Sequence, residues 1–162
     1  MKMYVNSRAI IERESPEGVE ILLQMRDRAE EPQRQLELPG GQVELFEPLL
    51  ETLVREVREE TGLTVTAVLD ATNRVQYSQD GFAVECLTPF FVYQTTGGPI
   101  DSVGFFFRCR AEGALVAQGD GASGHRWMPV SAVQRAMAAA PEQFTWLTGA
   151  ALTYYLRWRG EA

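Results

Sequence analysis

Lysine is nearly absent from this chain of 162 residues: of its fifteen basic residues, only Lys2 is a lysine. Any phosphate contact must therefore come from arginine or from the main chain. Basic charge is short overall as well. The net charge of −7 argues against a nucleic-acid or anionic-membrane partner, because both need a basic footprint. A small anionic substrate remains compatible, given a metal and local arginines. Cysteine is scarce: Cys86 and Cys109 make no disulfide framework and have no metal-ligand spacing. Both fall in strand-like runs, the pattern of buried thiols in a reducing cytosol. No run of about 18 apolar residues is present to span a membrane, and the opening MKMYVNSRAIIER mixes charge and polarity where a signal peptide would be apolar. The expectation is a soluble cytoplasmic protein. Neither an internal repeat nor a linker divides it, and with 45% hydrophobic and 23% charged residues it suits one globular domain over residues 1–162.

What the chain has in excess is acid in one place. In Gly41 to Leu63, GQVELFEPLLETLVREVREETGL, the residues Glu56, Glu59 and Glu60 lie at i, i+3 and i+4, neighbours on one helical face. Each like-charged pair costs roughly 0.2–0.5 kcal/mol. Glu59 and Glu60 also sit in the last turn, where the helix dipole favours cations. A divalent cation between the carboxylates reverses both penalties, and hard oxygen donors suit Mg2+ or Mn2+ better than zinc. Leu50, Leu53, Val54 and Val57 form an apolar stripe that should face a core, with Glu51, Arg55 and Arg58 outside and the three acids on its rim. Glu51 and Arg55 are spaced for an i, i+4 ion pair, and Gly62 is placed to end the helix. A solvated acidic helix is the plain alternative. Upstream, Leu38-Pro39-Gly40-Gly41 breaks the chain as a loop, whose two glycines allow close approach of a phosphate to their N–H groups.

This stretch resembles the Nudix box, Gly-x5-Glu-x7-Arg-Glu-U-x-Glu-Glu-x-Gly-U, where U is a bulky aliphatic residue. Gly41, Glu47, Arg55, Glu56, Val57, Glu59, Glu60, Gly62 and Leu63 fill every specified place. The resemblance implies an α/β/α sandwich with a mixed β-sheet. It implies a metal-dependent hydrolase of the pyrophosphate linkage in a nucleoside diphosphate linked to another moiety, whether ADP-ribose-like, a dinucleoside polyphosphate or a nucleoside triphosphate. By the matched positions, Glu59 and Glu60 are the main metal ligands and Glu56 is a ligand or its support. Arg55 orients the carboxylates and Glu47 holds the loop. A binding-only nucleotide sensor would be expected to lack box carboxylates, and none is missing. A related isomerase uses a cysteine before the box, whereas both cysteines here follow it. RNA decapping would ask for a basic strip.

Along the chain, residues 3–13 and Val19 to Met25 read as adjacent strands joined by Ser15-Pro16-Glu17-Gly18. Arg26 to Gln35 reads as a loop bordering the substrate in this family, with Arg26, Arg28 and Arg34 as candidate phosphate contacts. After the box come a strand at Thr64 to Leu69, an irregular stretch to Tyr77, a turn at Gln79-Asp80-Gly81, and strands at Phe82 to Tyr93 and Ser102 to Arg110. The Phe90-Phe91 and Phe105-Phe106-Phe107 runs suit core packing. A helix is expected from about Val130 to Ala139, and another from roughly Glu142 to Trp158. The second carries Phe144, Leu147, Ala151, Tyr154 and Tyr155 as a core or interface stripe, which leaves a homodimer open. Periodicity alone supports a mixed α/β domain.

Three ligands on one helix leave the attacking water without an obvious base on the substrate's other side, and the resemblance implies a further acid from a distant loop shortly before a tryptophan like Trp127. Ala117 to His125, AQGDGASGH, reads as a mobile loop, and Asp120 is its only carboxylate. Asp120 is the candidate base or extra ligand, although Asp-Gly is equally a common turn pair. Glu112 and His125 are weaker candidates. Leu36 stands where many relatives carry an aromatic residue, so Phe46, Tyr77 and Trp127 are the remaining rings that could stack on a base.

Overall fold

The computed structural model describes residues 2–71 and 73–161. Its spine is β1 (Met3–Ser15), which changes partners along its length. Residues Met3 to Ile11 run parallel to β9 (Asp101–Glu112), while Glu12 to Ser15 turn back against β2 (Gly18–Arg26). On its other edge, Asn6 to Arg8 pair with the short β4 (Gly40–Gln42), and β3 (Leu36–Glu37) pairs with β2. Beyond β9 lie β5 (Thr64–Val68) and β8 (Phe91–Gln94), both antiparallel to it. Beyond β2 lie β11 (Ala122–Pro129) and β10 (Gln118–Gly119). One parallel pairing among antiparallel ones makes the sheet mixed, as expected.

Because strand side chains alternate between faces, β1 can feed two cores at once. Ala9 and Ile11 meet Leu22, Phe107 and Cys109 beneath α1 (Leu49–Thr61). Ile10 meets Ile21, Leu23 and Phe106 beneath α2 (Val130–Ala139) and α3 (Trp146–Trp158). Helices cover both faces, which is the α/β/α sandwich. No helix among the described residues is long and apolar enough to cross a membrane.

Several boundaries differ from the sequence reading. Gly40 and Gly41 form a strand rather than a loop, because β1 offers them a free edge. Phe82 to Tyr93 is two strands. β7 (Phe82–Cys86) leaves the main sheet to make a separate hairpin with β6 (Val75–Gln79), turning at Asp80-Gly81. Cys86 is therefore exposed, whereas Cys109 is buried as expected. AQGDGASGH is a β-hairpin, not a mobile loop. The last helix begins at Trp146, after a 3-10 turn at Pro141–Gln143, and Tyr154 is half exposed at the edge of the core, its ring against Phe90 and Phe91. In α1 the buried apolar residues are Leu53 and Val57; Val54 is exposed, while Thr52 and Glu60 are buried in its place.

Candidate active site

Gly62 ends α1 in the left-handed region at φ 81°, its N–H donating to the Arg58 carbonyl. The carbonyls of Glu59, Glu60 and Thr61 would otherwise be orphaned at that end. The Asp120 N–H donates to Glu59 at 3.1 Å and the Val116 N–H to Thr61 at 3.0 Å. His125 Nε2 lies 2.7 Å from the Glu60 carbonyl, an oxygen that can only accept, so Nε2 carries the proton. The β10–β11 hairpin is thus docked on the helix end, which places the Asp120 turn beside the box.

Arg55 is the hub of the acidic face. It grips Glu47 through two bonds of 2.7 and 2.9 Å, and reaches Glu56 at 2.8 Å, Glu59 at 3.3 Å and the Gln42 carbonyl at 3.2 Å. The expected Glu51–Arg55 pair does not form, because Arg55 turns inward to these four partners. The guanidinium fork holds the Glu47 carboxyl down at about 2. Glu47 in turn accepts from Thr52 and from the Glu44 N–H, fixing the turn into α1.

Glu60 sits under different conditions. It is 4% exposed and accepts from the Gly40 N–H at 2.9 Å and from Gln24 Nε2 at 3.0 Å. Burial, reinforced by the nearby Glu37 carboxylate, pushes its carboxyl up to about 8. Burial also raises Glu56, against the pull of Arg55. The site is therefore short of positive charge at its floor. Gly41 passes so close that a Cβ there would lie 2.5 Å from Glu56 Oε1, leaving the carboxylate open to a neighbour only because the side chain is missing.

Glu56, Glu60, Gly40, Gly41 and Asp120 line one cavity of about 720 Å3, together with Arg28. Not every candidate joins them. The Gly40 N–H is taken by Glu60, so it is closed to phosphate. Glu59 is bonded to Arg55 and lies outside the cavity wall. Arg26 spends its donors on Glu31 and Glu37. Arg34 lines neither this cavity nor the one beside it and pairs with Asp27 and Ser123 on the surface. Among the described residues no three His, Cys, Asp or Glu side chains converge as a ready-made metal cage. Of the proposed rings, Phe46 is 95% exposed, Tyr77 lies on the outlying hairpin, and Trp127 packs on the α1 side under Arg13. Glu112 ends β9 away from the cavity.

The sequence reading missed three residues: Glu37, Gln24 and Arg8. Gln24 Nε2 bridges Glu60 and Glu37, and both Glu37 and Gln24 are buried. Their signal was a charged or amide side chain inside an apolar strand, in Leu36-Glu37-Leu38 and in Val19 to Met25, where a partner must exist. Arg8, on β1, was hidden in an alternating strand that gave no reason to single it out.

A family model described as NUDIX domain matches residues 3–147. No curated protein matches the chain. Among solved structures, the fold is similar to a MutT NUDIX hydrolase from Burkholderia pseudomallei, with TM-score 0.62 and 21% identity over 94% of this chain and 98% of that one. It is also similar to a NUDIX hydrolase from Nitrosomonas europaea, with TM-score 0.61 and 18% identity over 95% and 88%. A third is the NUDIX domain of Shewanella oneidensis NrtR, complexed with ADP ribose, with TM-score 0.58 and 16% identity over 83% and 78%. A match covering residues 3–147, with every box position filled, makes this chain a member of the NUDIX domain family.

Proposed function

We propose that this Nudix hydrolase cleaves the pyrophosphate linkage of a nucleoside diphosphate bonded to another moiety, using Mg2+ or Mn2+. The observation that carries the reading is the cavity itself, where Glu56 lies against the bare Gly41 main chain and Glu60 against the Gly40 N–H, with Asp120 on the same wall. The residues fit a hard cation. Two carboxylates raised by burial favour a positive partner, and a site with few protein ligands suits Mg2+, which keeps several waters. Glu56 and Glu60 would hold it, with Glu59 the third candidate once it leaves its single 3.3 Å bond to Arg55. A bound cation supplies phosphate charge neutralisation and makes a nearby water more acidic.

The chain's own groups supply the rest. Gly41 leaves room for a phosphate against the strand, and Arg28 is the cavity's free-standing cation candidate for it, with Arg26 positioned behind by Glu31 and Glu37. Asp120, on the same cavity wall, would take the proton of the attacking water. Arg55 keeps Glu47 ionised and orients Glu56. The intact box speaks for turnover over binding alone, and the net charge of −7 for a small-molecule nucleotide over nucleic acid or a membrane. We read residues 1–162 as one cytoplasmic domain.

The test is release of phosphate or nucleoside monophosphate from a nucleotide panel with Mg2+. Turnover should vanish with EDTA and fall by orders of magnitude in Glu56→Gln and Glu60→Gln. Full turnover in excess EDTA, or normal kinetics in both variants, rejects the proposal.

A further inference from the structure

A second cavity, of about 500 Å3, adjoins the acidic one, and the two share Arg28, Glu31, Gly41 and Gln42. A ligand with phosphates against Gly41 has its next atoms at this second opening. The chemistry changes across the shared wall. On the far side stand three aromatic rings, Tyr4, Tyr93 and Trp146. Trp146, in the first turn of α3, is 56% exposed, and Tyr4 is 38% exposed. Both leave ring surface that the fold itself does not cover. Tyr93 is fixed instead: Asn6 Nδ2 donates to its hydroxyl at 2.8 Å, and Gly104 faces it without a side chain, since a Cβ there would lie 2.9 Å from that hydroxyl.

Gln35, beside these rings, is left with an acceptor to spare. Gln35 Nε2 donates to the carbonyls of Glu142 and Phe144 at 2.9 and 3.1 Å. Carbonyls only accept, so the amide nitrogen is pinned and Oε1 remains an open acceptor. Asn6 is held on the Tyr93 hydroxyl, which both donates and accepts, so its amide serves to fix the ring rather than to present one defined atom. At the phosphate end stands Arg8, whose Nε is buried without a partner and whose charge is felt at both Glu56 and Glu60.

We propose that the second cavity seats the aromatic base of the substrate, stacked on Trp146 and Tyr4, with Arg8 and Arg28 at the phosphate nearest the sugar. It prefers bases bearing an exocyclic amino group, because the pinned Gln35 amide presents Oε1 as an acceptor. The acidic cavity then takes only phosphates and cation, so the substrate carries one recognised base. This deepens the pyrophosphate reading and takes the position of the phosphates from it.

The experiment measures binding of AMP, CMP, UMP and ribose 5-phosphate in EDTA, at millimolar concentration, by calorimetry and tryptophan fluorescence. AMP and CMP should quench fluorescence and bind up to about tenfold more tightly than UMP, the range of one hydrogen bond. Ribose 5-phosphate should bind more weakly than all three and leave fluorescence unchanged. Trp146→Phe should lose the quenching and keep most of the binding, whereas Trp146→Ala should weaken AMP by on the order of tenfold to a hundredfold, the weight of a base stacked on an aromatic ring. Trp158→Phe, which lines neither cavity, should quench as the unaltered protein does. Ribose 5-phosphate binding as well as AMP, no saturable binding of any nucleotide, or unchanged AMP affinity in Trp146→Ala overturns the base site. UMP binding as tightly as AMP and CMP overturns the amino-group preference. No turnover enters these measurements, so their failure leaves the hydrolase reading standing. Base binding in a protein inert with Mg2+ on every nucleotide does the reverse.

Discussion

At the scale of single residues, Glu60 and Asp120 make the sharpest commitments. Glu60 is harder to ionise folded, at about 8, than at its ordinary 4.5. The folded state thus holds the proton more tightly. Metal-free stability is highest below about pH 4.5 as far as Glu60 is concerned, falls as pH rises towards 8, and is flat beyond, by at most on the order of 5 kcal/mol. In EDTA, thermal melts of Glu60→Gln should lose that component of the slope and lie above the unaltered protein at pH 8, even though the variant is inactive. Equal slopes in the two proteins would remove Glu60 as the charge-starved floor of the site. Asp120 is tested by kinetics instead: Asp120→Asn should lower kcat by roughly 10²–10⁴ with little change in KM. A fall below about tenfold would leave the proton to another group.

At the scale of elements, the adjoining glycines Gly40 and Gly41 should part company. A Cβ at Gly40, where φ is 141°, would lie 2.5 Å from the Arg8 Cα, and backbone there cannot yield cheaply. A Cβ at Gly41 meets only the far end of the Glu56 side chain, which can swing aside. Gly40→Ala should therefore cost stability, on the order of 1–3 kcal/mol, as overpacking does. Gly41→Ala should melt nearly normally yet lose activity; equal effects of both on melting would contradict the contact geometry. Gly119→Ala drives a Cβ into the Glu60 main chain and should both destabilise the protein and displace Asp120. These contrasts show what was legible beforehand. The fixed spacing from Gly41 to Leu63 carries α1 and its cap, because the period of a helix and a glycine stop are local. The docking of AQGDGASGH on that helix is not local: the orphan carbonyls that recruit it lie about 60 residues upstream, so a run of small residues read as slack chain. The divided run Phe82 to Tyr93 escaped for the same reason, since which β-rich residues join the main sheet is decided by β9.

At the scale of the whole molecule, cation binding would be coupled to folding, because Glu60 of α1 is bonded to Gln24 of β2 and to Gly40 of β4. Adding Mg2+ at about 100 times its Kd should raise stability by about 2.7 kcal/mol, with the rise largely absent in Glu60→Gln. An equal rise in both would place the cation elsewhere. The pairing of β1 with β9 has a consequence of another kind, one of timing. Met3 lies beside Asp101 and Ile11 beside Cys109, so the central contact of the sheet joins residues about a hundred positions apart. Such long closures must be made before they are rewarded, and chains rich in them fold in milliseconds to seconds rather than microseconds. On the ribosome, at about 5–20 residues per second, β1 would emerge several seconds before its partner exists. Through that interval its Ala9-Ile10-Ile11 segment has no sheet to enter on that edge, and nascent chains ending before about residue 109 should be held by chaperones or aggregate, while protease resistance should appear only once α3 has completed the Ile10 core.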